Sequence, residues 1–314
     1  MQFPRDPTQA WFAATTSKVS AFSPCSITGF FSIHDLLQDP LRVGSTGAAV
    51  ALATGVKTRV SLRRTQHPGI VARFNGQRLG DEAVSNKVAR IYSELDERSW
   101  QVEISHECRF PPGRGYGTSG AGALSLSLAM NEAMGLSFSK PEAAQIAHVC
   151  EVQCKTGLGT VASVFSGGLT VRTAPGAPEI GRVRKLSLPS SLRIVSASFG
   201  PISTRRVLAS HSLKKTINAC GRALIEKFLR DASYSNFMIT SRKFSNCVGL
   251  VSSQLRRAMN ALESSGFTCS MMMLGESLFC LLPHEDVARV EAILRGNKLT
   301  PTTSLVARSG ARLI

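Results

Sequence analysis

The sequence predicts an α+β protein with two lobes that share one cleft. Its 314 residues are 43% hydrophobic, which is enough to bury a large core, and the chain is long enough for two lobes. Segments typical of strands and of helices are mixed along the whole chain, without an internal repeat. Between one such strand and one such helix lies a glycine-rich segment, residues 111–123, which gives the strongest indication of function.

The first half of the chain is predicted to begin with strands and to become helical. Small and β-branched residues with repeated glycines indicate strands and turns between residues 20 and 64 and around 71–74. Alternation of apolar and polar residues from Trp100 to Phe110 indicates a half-buried strand. The remaining elements predicted here are helices at 81–97, 124–134 and 140–155 and a strand at 169–173.

The second half is predicted to mix both kinds of element. In chain order these are a strand at 192–198, helices at 203–231 and 249–265, strands at 268–273 and 277–282, and a helix at 285–295. We therefore expect three parts: a flexible extension at 1–19, an N-terminal lobe at 20–190 and a C-terminal lobe at 191–314. The extension is polar and contains Pro4 and Pro7.

The composition is strongly basic, with 37 basic against 21 acidic residues and a formal net charge of +16. Such a balance raises the question of nucleic-acid binding. The basic residues form short pairs, such as Arg63-Arg64 and Arg256-Arg257, and only three tyrosines and two tryptophans offer surfaces for stacking on bases. We favour a charge that is solvated or that attracts anionic substrates, with nucleic-acid binding as the alternative.

The sequence is typical of neither a membrane protein nor a secreted one. No run approaches the roughly eighteen apolar residues of a membrane span, and the N-terminus lacks the apolar core of a secretion signal. The eight cysteines contain no C-x-x-C pair and are scattered, which is typical of reduced, mostly buried thiols. We expect a cytoplasmic protein without a membrane partner.

The glycine-rich segment is predicted to bind phosphate groups. Glycine lets the backbone approach an anion closely, and the first turn of a helix offers unpaired N–H groups and the positive end of its dipole. Hydroxyl groups in the segment would reach a phosphate or its metal ion. The residues expected at the phosphates are Pro112, Gly113, Arg114, Gly115, Tyr116, Gly117, Thr118, Ser119, Gly120 and Ala121.

The segment does not fully match the sequence patterns of two familiar phosphate-binding loops. The Walker pattern requires Lys and then Ser or Thr after its last glycine, where this chain has Ala121. Gly115, Gly117 and Gly120 match the dinucleotide-binding spacing G-x-G-x-x-G. That fingerprint also requires a second strand that ends in an acidic residue, whereas Glu142 lies at a helix start. A glycine turn with a purely structural role is the remaining alternative.

One acidic residue is predicted to lie on a buried helix face. At 100° per residue, Glu151 falls within the apolar arc of the helix at 140–155, between Ala144 and Ala147. A buried carboxylate is costly unless it is paired or binds a metal ion. A salt bridge to an arginine and a metal ligand are therefore the two interpretations.

The glycine-rich segment resembles the second motif of the GHMP kinases, the superfamily of galactokinase, homoserine kinase and mevalonate kinase. That motif has proline, three residues, Gly-x-Gly, two hydroxyl residues and then small residues. The matching positions are Pro111, Gly115, Gly117, Thr118, Ser119 and Ala121.

A closer resemblance, to the archaeal pantoate kinases, extends over about residues 20–285. Residues 23–31, Ser-Pro-Cys-Ser-Ile-Thr-Gly-Phe-Phe, are similar to the opening Ala-Pro-Gly-His-Ile-Thr-Gly-Phe-Phe of that family. Further segments are similar to it in the same order along the chain: 39–48, 156–159, 198–202 and 273–276. Such an ordered series is much more specific than a single glycine-rich loop.

The resemblance implies a fold, a reaction and its cofactors. The fold has an N-terminal lobe like domain 2 of ribosomal protein S5 and a ferredoxin-like C-terminal lobe. The reaction is the ATP-dependent phosphorylation of (R)-pantoate to 4-phosphopantoate in coenzyme A biosynthesis, so that pantoate and ATP are the expected partners. Mg²⁺ is the expected metal ion, held by Ser119 and Glu151 as in the GHMP kinases, and the family suggests a homodimer.

The resemblance also implies residues that bind the acceptor. Ser26, Thr28 and Arg42 are expected there, since a hydroxy acid needs hydroxyl partners and a cation for its carboxylate. Gly275 lies in the third motif of the family, where a missing side chain lets the backbone approach the phosphate loop or the substrate. For Arg114, a charge that assists the phosphates and a solvent-facing role are both open.

The chain departs from the family at the catalytic position. Pantoate kinases usually have Asp-Val after Gly-Leu-Gly, but here Thr160 stands in place of that aspartate, the expected base, and threonine cannot take up a proton at neutral pH. The opening motif has Cys25-Ser26 where Gly-His is usual. Catalysis by positioning alone, a substitute acid such as Asp35 or Asp39, and loss of activity are all open. A nucleotide-binding pseudokinase and a kinase for another small hydroxy acid are therefore alternatives.

Overall fold

The computed structural model describes residues 16–314. Within this range the chain forms one sheet of eight strands and a second sheet of four. Of the extension predicted at 1–19, residues 1–15 lie outside the described residues. Residues 16–19 pair with residues 60–63 in the larger sheet, so they belong to the fold and not to the extension.

The larger sheet is built on two long antiparallel strands, β1 (Thr16–His34) and β2 (Gly44–Arg64). Its shorter strands are β3 (Gly69–Phe74), β4 (Gln77–Arg78), β5 (Trp100–Glu107), β6 (Leu169–Ala174), β7 (Arg182–Leu186) and, near the C-terminus, β12 (Arg312–Leu313). Strand β2 changes its second neighbour along its length, because residues 57–64 pair with β5 and residues 47–50 pair with β6. As a result β6 lies across β2 from residues 28–31 of β1.

Helices cover this sheet. They are α1 (Val84–Glu94), α2 (Thr118–Met134), α3 (Lys140–Cys154) and α4 (Thr160–Ser166). Helix α2 is buried over most of its length, because it lies between the sheet and the neighbouring helices α1 and α3. It begins at Thr118 and not at the predicted residue 124, since the small residues that follow Gly117 form its first turns.

The smaller sheet belongs to the C-terminal lobe. Its strands are β8 (Leu192–Pro201), β9 (Ser270–Met271), β10 (Gly275–Pro283) and β11 (Thr302–Leu305), antiparallel in the order β11-β8-β10-β9. The helices of this lobe are α5 (Thr204–Ala209), α6 (His211–Arg230), α7 (Tyr234–Val248), α8 (Ser253–Ser264) and α9 (Val287–Gly296). Helices between β8 and β9 and between β10 and β11 give the ferredoxin-like order, so the predicted α+β fold is confirmed.

Several elements differ from those predicted. The helix expected at 203–231 is broken at Ser210, which has an extended backbone and whose side chain accepts a hydrogen bond from Leu213 N–H at the start of α6. Helix α7 was not predicted, because its sequence is rich in serine and asparagine. It forms because Phe237 and Phe244 pack against Phe30 and Phe31 of β1, with ring centroids 6.0 and 5.7 Å apart. Helix α4 and strand β7 were not predicted either.

The C-terminal residues cross back to the N-terminal lobe. Strand β12 pairs with β1, and Val306 forms a bridge to Leu52 of β2. Residues of the segment 306–314, which lies within the predicted C-terminal lobe 191–314, therefore pair with the larger sheet. One apolar core continues from β1 and β2 into the helices and strands of the C-terminal lobe, which fixes the two walls of the cleft relative to each other.

A disulfide bond corrects the expectation that all cysteines are reduced. It joins Cys220 of α6 to Cys247 of α7, two neighbouring helices whose cysteines are 27 residues apart in sequence. The other six cysteines are free thiols. Among residues 16–314, no helix combines the length and the apolar composition that crossing a membrane requires.

Candidate active site

A cleft between the two lobes brings together most of the site residues predicted from the sequence. Those that line it are Ser26, Thr28, Pro112, Gly113, Gly115, Gly117, Thr118, Ser119 and Thr160. The C-terminal lobe supplies Thr204 and Leu208 from α5, and Met273 and Leu274 from the turn before β10. The predicted phosphate loop and two of the predicted acceptor residues, Ser26 and Thr28, therefore share one space.

The first turn of α2 is open to an anion. No side chain caps this turn, because its N-cap residue is Gly117. Gly113, Gly115 and Gly117 have φ angles of 77°, 85° and 63°, in the left-handed region that favours glycine. They line the cleft with backbone alone, so a phosphate can approach the N–H groups at the helix end. Ala121 is not a free donor, since its N–H bonds to the Gly117 carbonyl.

Tyr116 anchors the loop and does not face the cleft. Its buried ring stacks on Phe110, with centroids 3.9 Å apart, and its hydroxyl donates to Ser196 Oγ at 3.0 Å. Burial raises the pKa of Tyr116, so the hydroxyl stays protonated. The Tyr116 carbonyl accepts a hydrogen bond from Ser26 N–H at 2.9 Å, which ties the loop to β1. Arg114 also points out of the cleft, where it donates to Ser198 Oγ at 3.3 Å.

Gly275 holds the third motif against the loop. A Cβ atom at this position would overlap the backbone of Arg114 and the N atom of Gly115, so only glycine fits. In the same turn, Met273 N–H donates to the Thr28 carbonyl at 3.1 Å. Gly275 therefore lets its turn pack closely against the loop, and the neighbouring residues Met273 and Leu274 line the cleft.

Glu151 and Ser119, the two residues predicted to hold a metal ion, are in direct contact. Ser119 Oγ donates to Glu151 Oε1 at 2.6 Å, and Thr156 Oγ1 donates to the same oxygen at 2.8 Å. The Glu151 side chain is 1% exposed, and burial raises its pKa. Its second oxygen, Oε2, has no hydrogen-bond partner in the part of the chain that the structure describes. Within residues 16–314 no arginine or lysine pairs with Glu151, so the alternative of a salt bridge is not observed.

The surroundings of Glu151 Oε2 fit a hard divalent cation. A Cβ atom at Gly120 would lie 2.6 Å from Oε2, so the glycine keeps this space free. The described residues contain no cluster of three or more His, Cys, Asp or Glu side chains that could hold a metal ion. A carboxylate and a hydroxyl group suit Mg²⁺ when nucleotide phosphates and water complete its oxygen ligands.

Arg172 is the cation of the cleft, and it was not predicted. This residue of β6 is 2% exposed and donates to the Ser45 carbonyl at 3.2 Å and to Ser163 Oγ at 2.6 Å. Burial lowers its pKa to about 10, which leaves it charged at neutral pH. No carboxylate within the described part of the chain lies at salt-bridge distance from it. A buried cation without a counter-ion is costly, so the cleft favours an anionic ligand at this point.

Arg42, expected to bind the acceptor carboxylate, is not brought to the cleft. Its exposed side chain lies 3.6 Å from Asp39, in the surface turn between β1 and β2. The sequence did contain a signal for Arg172, because this charge interrupts the apolar strand predicted at 169–173. As with Glu151, a charge within an apolar segment indicates a buried group that needs a partner or a ligand. Thr156 and Thr204 carried no comparable signal.

Thr160 lines the cleft at the start of α4, next to the phosphate loop. A Cβ atom at Gly117 would lie 2.8 Å from its Cγ2 methyl group, which shows how close the two segments are. No Asp, Glu or His side chain from the described residues lines this cleft. The two substitute acids considered are engaged elsewhere, since Asp35 pairs with Lys214 and Asp39 accepts from Leu41 N–H.

Comparison with known proteins finds relatives that match most of the chain. A family model described as the GHMP kinases N terminal domain matches residues 86–168. The pantoate kinase of Thermococcus kodakarensis is 33% identical over 284 residues, which cover 88% of this chain and 91% of that protein. The pantoate kinase of Methanocaldococcus jannaschii is 30% identical over 276 residues, 87% of this chain and 96% of that protein.

Solved structures with the same fold include two kinds of enzyme. A phosphotransferase related to the CoA biosynthesis pathway has a TM-score of 0.86 at 28% identity and covers 95% of this chain and 98% of its own. The homoserine kinase of Cytophaga hutchinsonii has a TM-score of 0.67 at 16% identity, with coverage of 98% and 100%, and shows the shared fold alone. These comparisons confirm the resemblance and the fold class predicted from the sequence.

Proposed function

We propose that this chain, which belongs to the GHMP kinase family and is an ATP-dependent small-molecule kinase, phosphorylates (R)-pantoate to 4-phosphopantoate in coenzyme A biosynthesis. The relatives named pantoate kinase support this substrate. The observation that carries the proposal is Arg172, a buried cation that has no counter-ion among residues 16–314 and lies beside a loop suited to phosphate. A small anionic acceptor would complete this arrangement.

On the nucleotide side, the open first turn of α2 would bind the phosphates of ATP. Ser119 and Glu151 would hold Mg²⁺, which neutralises phosphate charge when bound. Thr156 donates a hydrogen bond to Glu151 Oε1. The other oxygen, Oε2, has no partner among the described residues and faces the space that Gly120 and Gly157 keep free of side chains. Burial raises the pKa of Glu151, so a bound cation would stabilise its ionised form.

On the acceptor side, Arg172 would receive the carboxylate of pantoate through charge-assisted hydrogen bonds. The hydroxyl groups of Ser26 and Thr28 line the same space and would bind the hydroxyl groups of the acceptor. Phe31 and Leu208 offer apolar surface to its two methyl groups. Pantoate has the corresponding chemistry: one carboxylate, two hydroxyl groups and a dimethyl carbon.

Catalysis in this cleft would depend on positioning and charge. Thr160 cannot act as a base at neutral pH, and no carboxylate or imidazole lines the cleft within the described residues. Phosphoryl transfer needs little covalent help from the protein, because its transition state is loose. The acceptor proton would pass to a phosphate oxygen or to water. General-base help is worth about a hundredfold to ten-thousandfold, so we expect a slow enzyme and not an inactive one.

The proposal is tested by ADP release from purified protein with Mg-ATP, with and without pantoate, alongside homoserine and mevalonate. We expect turnover that depends on pantoate and on Mg²⁺. Turnover with homoserine or mevalonate alone would change the substrate and keep the reaction class. Absence of turnover with all three, in a protein that still binds ATP, would contradict the proposal.

A nucleotide-binding pseudokinase is the second candidate, and Thr160 is the observation that favours it. The two candidates differ in their response to Thr160→Asp, which returns a carboxylate to the cleft. A slow kinase is expected to keep or to increase its pantoate-dependent turnover, because the new carboxylate can accept the hydroxyl proton. A pseudokinase is expected to stay without turnover in both forms.

A further inference from the structure

Two free thiols lie close together at the point where strand β1 meets the phosphate loop. The Sγ atoms of Cys25 and Cys108 are 3.8 Å apart. Cys25 lies in β1 directly before Ser26, and Cys108 follows the end of β5, just before the loop begins. Cys25 also lies at a shift in the pairing of β1 with β2, where the ladder is irregular.

The two thiols differ in exposure and in acidity. Cys25 is fully buried, whereas Cys108 is partly exposed to solvent. The hydrogen bond with the Cys25 thiol lowers the pKa of Cys108, and Phe110 N–H, which donates to Cys108 Sγ at 3.3 Å, acts in the same direction. The same hydrogen bond, together with burial, raises the pKa of Cys25. Cys108 is therefore the thiol that a small oxidant reaches first and that forms a thiolate more readily.

We propose that Cys108 and Cys25 form an oxidation site, at which hydrogen peroxide oxidises them to a disulfide bond that slows the enzyme reversibly. Cys108 gives its proton to water, and its thiolate attacks one peroxide oxygen. The O–O bond breaks, which leaves a sulfenic acid on Cys108 and a hydroxide ion that takes up a proton. Cys25 sulfur then attacks Cys108 sulfur, the S–O bond breaks, and the departing hydroxide takes up the Cys25 thiol proton and leaves as water. Two thiols are oxidised, and hydrogen peroxide is reduced to two water molecules.

The new disulfide bond would disturb the hydrogen-bonded contact between β1 and the phosphate loop. A disulfide bond is about 2.05 Å long, so the sulfur atoms must approach each other by roughly 1.8 Å. Ser26, the residue after Cys25, donates its N–H to the Tyr116 carbonyl in the loop at 2.9 Å. Misplacement of reacting groups by about 1 Å costs up to about a hundredfold in rate, so we expect a fall in turnover of at least about tenfold.

No other pair of cysteines offers the same chemistry within the described residues. Cys269 and Cys280 also interact, but both are fully buried, so an oxidant has no access to them. Cys220 and Cys247 already form a disulfide bond. Cys154 is partly exposed and lies one helical turn from the buried Cys150, but burial raises the pKa of both thiols, which makes them weaker nucleophiles at neutral pH and Cys154 a suitable control.

Peptide mapping tests whether the bond forms, independently of the enzyme's substrate. The reduced protein is treated with hydrogen peroxide, alkylated with iodoacetamide and digested with trypsin. Cleavage after Lys18, Arg42, Arg98 and Arg109 gives peptides 19–42 and 99–109, each with a single cysteine. We expect these two peptides to appear joined, with the mass of two hydrogen atoms lost. Peptides that stay separate, with their cysteines alkylated or oxidised singly, would overturn the proposal.

The effect on catalysis rests on the proposed function and has its own measurement. We expect pantoate-dependent ADP release to fall at least about tenfold as the joined peptides accumulate, and to recover with dithiothreitol. Cys108→Ser and Cys25→Ala are expected to resist peroxide, whereas Cys154→Ser is expected to lose activity like the parent protein. Equal inactivation of Cys108→Ser and the parent would overturn the proposal. If the reduced parent shows no turnover, the proposed function fails, and affinity for Mg-ATP replaces activity as the readout.

Discussion

The nucleotide side and the acceptor side of the cleft are built in different ways. The proposed nucleotide side is lined by residues of one continuous segment, 112–119, and one carboxylate, Glu151 of the adjoining helix α3, bonds to Ser119 from behind this lining. The acceptor side is assembled from β1, β6, α5 and the turn before β10, which lie far apart along the chain. Its cation, Arg172, reaches the cleft because β6 and residues 28–31 of β1 lie on opposite edges of the same part of β2.

This difference separates phosphate binding, which a short stretch of sequence determines, from acceptor recognition, which the whole fold determines. Phosphate binding at a helix N-terminus needs glycines at fixed spacing, and such a pattern is contained in one stretch of sequence. Recognition of a particular acid needs a charge and hydroxyl groups at fixed points in space, whatever their order in the chain. Substrate choice can therefore change through single replacements on the acceptor side, while the nucleotide side stays the same.

The largest effect is expected from Glu151→Gln, on the nucleotide side. The amide keeps the shape of the side chain and still accepts hydrogen bonds from Ser119 and Thr156, but it removes the negative charge offered to Mg²⁺. We expect kcat to fall about a thousandfold with ATP binding retained, as measured by ADP release and by nucleotide titration.

Glu142→Gln is the matched control for this prediction, since Glu142 lies on the same helix but is exposed and forms the capping box with Ser139. We expect unchanged kcat and a small loss of stability in that variant. A Glu151→Gln protein with normal, magnesium-dependent turnover would show that the carboxylate does not hold the metal ion.

Much of the nucleotide side was predicted from the sequence, and much of the acceptor side was not. The loop, its hydroxyl groups and Glu151 follow from glycine spacing and from a charge on an apolar helix face. Arg42 was predicted at the acceptor because a carboxylate needs a cation, yet its side chain lies in an exposed surface turn. The position of Arg172 depends on the branching of the sheet at β2, which no local pattern encodes.

The same limit applies to the fold. The strands before residue 110 and most helices follow from periodicity and from glycine. The break at Ser210 depends on a single side chain that caps the next helix. Helix α7 and the return of residues 306–314 to the larger sheet depend on contacts with β1, which are formed only in the folded chain.

A smaller effect is expected from Gly275→Ala, which tests the contact between the two sides. The added Cβ atom would overlap the backbone of Arg114, so the loop must move away from the turn that carries Met273 and Leu274. We expect kcat/KM to fall between about tenfold and a hundredfold. Gly296→Ala is the control, because nothing lies within 4 Å of a Cβ atom there. Equal kinetics in the two variants would show that the contact does not position the loop.

The smallest effect on turnover, but a measurable effect on stability, is expected at His106, which lies under the nucleotide side. Its buried ring bonds to Thr58 Oγ1 at 2.7 Å and to Ser85 Oγ at 2.9 Å. Burial lowers its pKa from the ordinary 6.5 to about 4. Between these values the unfolded chain binds a proton that the folded protein does not bind. The free energy of unfolding therefore falls as the pH falls through this window, by up to about 3 kcal/mol.

Denaturant unfolding across this pH range, compared between the parent protein and His106→Gln, isolates the contribution of His106 from those of other groups. We expect the stability of the variant to depend less on pH, although it is lower at neutral pH because a buried hydrogen bond is lost. Parallel curves for the two proteins would show that His106 is not held neutral in the fold.

The most direct test of the acceptor side compares pantoate with its neutral amide, in the parent protein and in Arg172→Met. The methionine keeps an apolar stem and removes the charge. We expect the parent protein to prefer pantoate in kcat/KM by about a hundredfold, and the variant to lose nearly all of this preference. A preference of the same size in both proteins would contradict the account, because it would show that Arg172 does not recognise the carboxylate of the acceptor.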